Sequence, residues 1–375
     1  MSHALTDIIR RLILTNGPVT VSDYMDICLG HPEFGYYKKQ DPFGDQGDFI
    51  TAPEISQMFG ELIGLWAVFV WQQMGQPKHF NLVELGPGRG TLMMDALRAA
   101  KKNQAFLAAM VLHFVETSPT LCQIQKQTML PFTVRHLKNV GQIPDGPLIV
   151  IANEFFDALP IRQFQFLNGR RYERMIGLDD KQQFCFMLNP NPVDRGAGLG
   201  FDKSIDDNAI YEVSPAGQSV MNDLTKRIQS FGGTVLTIDY GYQGSALGGT
   251  FQAIYKHKFH DPLRLPGDAD LTAHVDFSAL AQVAGEHPLT VSKVTTQRDF
   301  LLQMGIQERA QMLATYADKK TKAALQLAMK RLIDDDQMGE LFKVMAITSK
   351  NIKIVPGFDD QPLQSDGGSV KSKHD

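Results

Sequence analysis

One short segment constrains the fold more than any other: Leu82-Val83-Glu84-Leu85-Gly86-Pro87-Gly88-Arg89-Gly90-Thr91-Leu92. An apolar run, Phe80 to Leu85, carries a single acid near its end, and a helical pattern follows from Thr91 to Lys102. The order is strand, Gly-rich turn, helix. Glycines at such a turn let the backbone approach a ligand closely, and the helix N-terminus behind them favours polar or anionic groups. The spacing is G-x-G-x-G, whereas a dinucleotide fingerprint has its third glycine where this chain has Thr91. A carboxylate at Glu84 repels a pyrophosphate and suits a cation. S-adenosylmethionine carries a sulfonium and an ammonium, so Glu84, Gly86, Gly88, Gly90 and Thr91 favour it over NAD. The alternative is a tight turn that holds no ligand.

From Phe80 the pattern alternates, with strands at 80–85, 111–115, 132–137 and 147–152 and helices at 91–102 and 119–129. That rhythm predicts right-handed βαβ units and a parallel sheet. Residues 161–213 break it with alternating apolar positions around Asn168-Gly169 and Asp179-Asp180, which predicts an inserted antiparallel meander. Helices are expected over 1–30, 53–74, 276–285, 297–304 and 306–333. A buried strand is expected at Thr234–Asp239, and a final one, Phe342–Thr348, at the sheet edge. The chain so divides into an N-terminal helical cap or lid (1–78), an α/β core (79–358) with insertions at 161–213 and 256–335, and a disordered tail (359–375).

The 375 residues are 43% hydrophobic, enough for a sizeable core, and the net charge of −4 argues against a general nucleic-acid binder. Cys28, Cys122 and Cys185 form no metal-binding pair, and no zinc site or other metal is expected. No apolar run reaches the roughly 18 residues of a membrane span, and no secretory signal is apparent. A cytoplasmic protein without stable membrane insertion is the expectation. A mitochondrial matrix location is the expectation only if a presequence is missing from this sequence.

Other strand ends carry polar groups that face the crevice of an open α/β sheet. Glu116 ends the next strand, where a carboxylate can accept from two ribose hydroxyls, or else serve as a helix N-terminal acid. Asn153-Glu154-Phe155-Phe156-Asp157 follows the apolar strand Leu148–Ala152. There Asn153 is a cofactor-binding candidate, and Glu154 and Asp157 can bind a cationic nucleophile and share its proton. Asp157 has the alternative of capping a short helix. Asp48, Phe49 and Thr51 lie in a glycine-flanked loop suited to a lid, and Thr51 with Glu54 has the form of a capping box. His274 and Asp276 are substrate-lining candidates, Asp276 being also a natural N-cap. Tyr240-Gly241-Tyr242 sits at a further strand end.

Taken together, Gly47–Ile55, Glu84–Thr91, Asn153–Pro160 and Thr272–Phe277 resemble the MidA family of class I S-adenosylmethionine-dependent methyltransferases, over nearly the whole chain up to about residue 350. The resemblance implies a Rossmann-like, seven-stranded methyltransferase sheet with an N-terminal helical region and family-specific insertions. It implies symmetric dimethylation of an arginine in a partner protein, a respiratory complex I-type subunit for mitochondrial members, and a bacterial source for this chain. Two alternatives remain at this point: a cofactor-binding assembly factor without catalysis, and a small-molecule methyltransferase.

Overall fold

The computed structural model describes residues 3–39, 51–193, 205–244 and 247–358. Asp48 and Phe49, and the tail 359–375, lie outside these residues.

Seven strands form the central path: β1 (Phe80–Leu85), β2 (Met110–Val115), β3 (Val134–Leu137), β4 (Leu148–Asn153), β5 (Gly233–Tyr242), β6 (Leu289–Val291) and β7 (Phe342–Ser349). Their spatial order is β3-β2-β1-β4-β5-β7-β6. The first five run parallel, and β7 is antiparallel to both β5 and β6. The strand order reverses beside β1, between β2 and β4, so β1 and β4 end at the switch point where such sheets bind ligands. Both faces of the sheet are covered, which is why β1 and β4 are buried at every position and read as mainly apolar runs, with Asn81, Glu84 and Asn153 as the polar exceptions.

One face carries α3 (Gln57–Gln73) and α4 (Thr91–Ala100), packed through Phe59, Ile63, Trp66, Leu92 and Ala96. The other carries α6 (Pro215–Phe231) and α7 (Phe277–Gly285), packed through Met221, Leu224, Ile228, Phe277 and Leu280. Between them in the chain, α5 (Pro119–Thr128) links β2 to β3. A third core joins the N-terminal helices α1 (His3–Asn16) and α2 (Val21–Gly30) to the meander, through Leu5, Ile9, Tyr24, Met25, Ile161 and Ile176. The meander is antiparallel: Arg162–Leu167, Arg170–Leu178 and Phe184–Leu188 in sequence, with Ile210–Val213 and the short Val19–Thr20 at its edges.

Several expectations need correction. Within residues 1–78, the first two helices pack on the meander, and α3 packs on α4 in the core. The expected helix at 53–74 is two, Ala52–Ile55 and α3, parted at Ser56, whose hydroxyl caps α3 through the Met58 amide at 3.2 Å. The segment 256–335 is not wholly an insertion, since α7 and β6 are part of the central layers. Strand β7 is interior, not at the edge, because β6 pairs along its outer side. The helix expected at 306–333 is Ile306–Ala314 and Lys319–Ile333, and Asp318 caps the second by accepting the Thr321 amide at 2.7 Å.

Candidate active site

The Gly-rich turn runs from the end of β1 into α4. Gly86, Gly88 and Gly90 all have positive φ (60°, 54° and 85°), conformations that side-chain-bearing residues rarely adopt. Gly90 is the N-cap of α4 and packs toward Phe114 and Met129. A Cβ at Gly86 would stand 3.1 Å from the Phe155 ring, so the turn after β4 closes directly over the turn after β1.

Between the two turns lies a solvent-open concavity of about 390 Å³. Glu84, Gly86, Gly88, Thr91, Asn153, Glu154 and Thr51 line it, together with Glu54 and Arg89. Three carboxylates against one guanidinium make it a site for a cation. Thr51 does not cap its helix as the S/T-x-x-E pattern predicted. Glu54 instead accepts the Thr91 hydroxyl at 2.7 Å, tying the 51–55 segment to the first turn of α4. The capping-box pattern is present in the sequence, but no side-chain cap forms and a tertiary partner takes the Glu54 carboxylate.

Glu84 is 3% exposed, and its Oε2 has no hydrogen-bond partner among the described residues. Burial pushes its carboxyl well above the usual range. Asn153 Oδ1 is likewise buried and unpartnered. Orphaned buried acceptors are costly, and two of them facing one concavity mark where ligand donors belong.

Glu154 sits at the mouth of β4 with φ 49°, a strained conformation for a non-glycine residue. Its Oε1 accepts from the Ala52 amide and the Asn153 side-chain amide, both at 3.2 Å. Burial first, and the Asp157 charge second, raise its pKa to about 7 against the lowering by those two bonds. A carboxylate so placed exchanges a proton near neutrality.

The turn itself is held by a residue that the sequence did not single out. Asp239, at the end of β5, is fully buried, and its Oδ2 accepts the amides of Phe155, Phe156 and Asp157 at 3.1, 3.0 and 3.3 Å. Its signal was the one acid closing the apolar strand Thr234–Asp239. Asp157 does not line the concavity: its Oδ2 accepts the Tyr240 hydroxyl at 2.5 Å, and the residue is 6% exposed. Burial raises its pKa to about 6.

Glu116 is not among the residues that line the concavity. Its Oε1 accepts the Ser118 amide at 2.7 Å and its Oε2 accepts from the Gln125 side chain at 3.2 Å, so the helix-start reading describes its bonding. Gln125, another residue missed in the sequence, is fully buried and also donates to the Gly88 carbonyl at 2.7 Å. It braces the Gly-rich turn from behind, and a glutamine in an amphipathic helix carries no local sign of that. His274 and Asp276 line a separate concavity beyond Phe156. Among the described residues no group of three or more His, Cys, Asp or Glu is arranged to hold a metal, and no helix is long and apolar enough to cross a membrane.

Residues 62–295 match a family described as S-adenosyl-L-methionine-dependent methyltransferases. The chain belongs to this family. It is 36% identical over 362 residues to the zebrafish (Danio rerio) "protein arginine methyltransferase NDUFAF7, mitochondrial", covering 89% of this chain and 84% of that one. The Homo sapiens protein of the same name is 35% identical over 375 residues, covering 92% and 84%. Among solved structures, a Burkholderia thailandensis protein assigned as a methyl transferase, bound to S-adenosyl-homocysteine, superposes with a TM-score of 0.84 at 27% identity, covering 97% and 96% of the two chains. The fold is thus that of a class I methyltransferase, and its cofactor is S-adenosylmethionine. The concavity fits that cofactor. Its acidic lining and the orphaned acceptors of Glu84 and Asn153 suit a ligand with an ammonium, a sulfonium and hydroxyl donors.

Proposed function

We propose that this methyltransferase acts on a guanidinium nitrogen of an arginine in a protein substrate. The observation that carries the reading is Glu154, a carboxylate tuned to about neutrality on the wall of the concavity that Glu84, Gly86, Thr91 and Asn153 line. The names of the NDUFAF7 relatives support arginine as the acceptor.

When bound, the cofactor supplies an electrophilic methyl group on sulfur. The protein's task lies with the acceptor. A guanidinium is a poor nucleophile, because its lone pairs are delocalised and it is fully protonated near pH 7. An ionised Glu154 accepts a charge-assisted hydrogen bond from one N–H and fixes the orientation of the plane. It then takes the proton that the methylated nitrogen sheds. Asp239 and the Tyr240–Asp157 bond keep the turn rigid, so that Glu154 meets the acceptor in one orientation. Since the carboxylate must be ionised to accept, activity should rise with pH through about 7.

The family resemblance of the Gly47–Ile55 and Asn153–Pro160 motifs supports two finer proposals: a respiratory complex I-type subunit as partner, and symmetric dimethylarginine as product. The test is incubation of the protein with methyl-labelled cofactor and an extract of cells lacking it, followed by peptide mass spectrometry. Label on an arginine of a protein is the expected result. Label confined to small molecules, or to residues other than arginine, would overturn the reading.

A further inference from the structure

We propose that the second concavity, beside β5 and α7, is a site for a non-reacting cationic side chain of the substrate polypeptide. The inference rests on the protein-substrate reading above. The space is open to solvent, about 490 Å³ in volume, and shares no lining residue with the cofactor concavity. A single turn separates the two: Glu154 faces one and Phe156 the other.

Its chemistry is that of a cation receptor. No Lys or Arg lines it, and two carboxylates do, Glu212 and Asp276. Glu212 is 4% exposed and immobilised, accepting from Gln163, from the Thr250 amide and hydroxyl, and from the Phe251 amide. It contributes fixed negative charge. Asp276 uses Oδ1 to cap α7 through the Ser278 and Ala279 amides at 2.9 and 3.0 Å. Its Oδ2 accepts no hydrogen bond among the described residues. The Tyr242 hydroxyl and the ring nitrogens of His274 are also without hydrogen-bond partners among them. Burial pushes His274 below its usual pKa, with the Glu212 charge acting in the other direction.

A carboxylate oxygen beside the rings of Tyr211 and Tyr242 is a combination that guanidinium and ammonium groups favour. Phe156 and Leu280 provide apolar surface for the methylene stem of such a side chain. The site is also wired to the reaction centre. His274 lies edge-on to Tyr240 at 5.4 Å between ring centroids, and the Tyr240 hydroxyl donates to Asp157 in the turn that carries Glu154. A flanking arginine or lysine bound here would set the register of the substrate chain relative to the acceptor.

The test is a titration of the full chain, with S-adenosylhomocysteine bound, by acetyl-arginine amide and by the neutral isostere acetyl-citrulline amide. The readout is the ring resonances of Tyr211 and Tyr242, assigned with Tyr→Phe variants. Saturable shifts with the arginine derivative alone are expected. Asp276→Asn should weaken them about fivefold, as the loss of one charged contact does, while still capping α7 and still binding S-adenosylhomocysteine. Glu154→Gln should leave them within about twofold of the parent protein. Absent shifts, equal shifts with citrulline, or shifts abolished by Glu154→Gln would each overturn the proposal. The readout is binding, so absence of arginine methylation would not by itself imitate any of these results.

Discussion

At the scale of the residue, Glu154 carries the chemistry proposed for the site. Its folded-state pKa of about 7 lies above the ordinary 4.5, so the folded chain binds this proton more readily than the unfolded chain does. The stability tied to that proton is fully present below about 4.5 and is lost as pH rises through about 7. Glu154→Gln removes the titration and keeps an oxygen for the Ala52 and Asn153 donors. Relative to the parent, the variant should gain on the order of 1–3 kcal/mol between about pH 5 and about pH 8, a figure reduced for the contact of Glu154 with solvent. Urea unfolding at the two pH values measures this. An identical difference at both would show that Glu154 titrates as an ordinary carboxylate. Glu154 was legible in the sequence because a strand end is where an α/β sheet exposes its polar groups. The role of Asp239 was not, because three amides from a turn some eighty residues away converge on it only after folding.

At the scale of the element, α3 and α4 pack with their backbones in close approach. Gly60 and Gly64 face α4 from one side of α3, and a Cβ at Gly64 would stand 2.2 Å from the Ala96 carbonyl oxygen. The contact cannot open without moving α4, whose N-terminus carries the Gly-rich turn. Gly64→Ala should therefore cost about 1–3 kcal/mol of stability, despite the better helix propensity of alanine, and should weaken S-adenosylhomocysteine binding in the same variant. Chemical denaturation and calorimetry check both, and an unchanged unfolding midpoint would contradict the packing account. The βα alternation of the core was readable from local signals: apolar runs, glycine turns and helical spacing. The interior position of β7 was not. An apolar strand reads the same at an edge as in the middle, and the pairing of Leu289–Val291 and Thr295–Thr296 along its outer side distinguishes them. The parting of Ala52–Ile55 from α3 was hidden for a similar reason, since helical periodicity continues across the Ser56 cap.

At the scale of the whole molecule, three cores divide the labour. Two sandwich the sheet and fix the ends of β1, β4 and β5, while the third joins the N-terminal helices to the meander and borders the second concavity through Ile161. The sheet thereby brings Glu84, Asn153, Glu154 and Asp239 together at one end, although they are dispersed along the chain. The motif order revealed that gathering in outline, but not the brace from Gln125 or the separation of the His274–Asp276 concavity from the cofactor site. Both depend on side chains that meet across elements. In the proposed mechanism, the Gly-rich turn holds the cofactor while Glu154 acts on the acceptor. That division of roles is tested most directly by comparing the parent protein with Glu154→Gln in two readouts: the Kd for S-adenosylhomocysteine, and the first-turnover rate of methyl transfer to the arginine substrate. The expected Kd lies within about threefold of the parent. The expected transfer rate is lower by roughly 10²- to 10⁴-fold. Transfer by Glu154→Gln at the parental rate would contradict the mechanism.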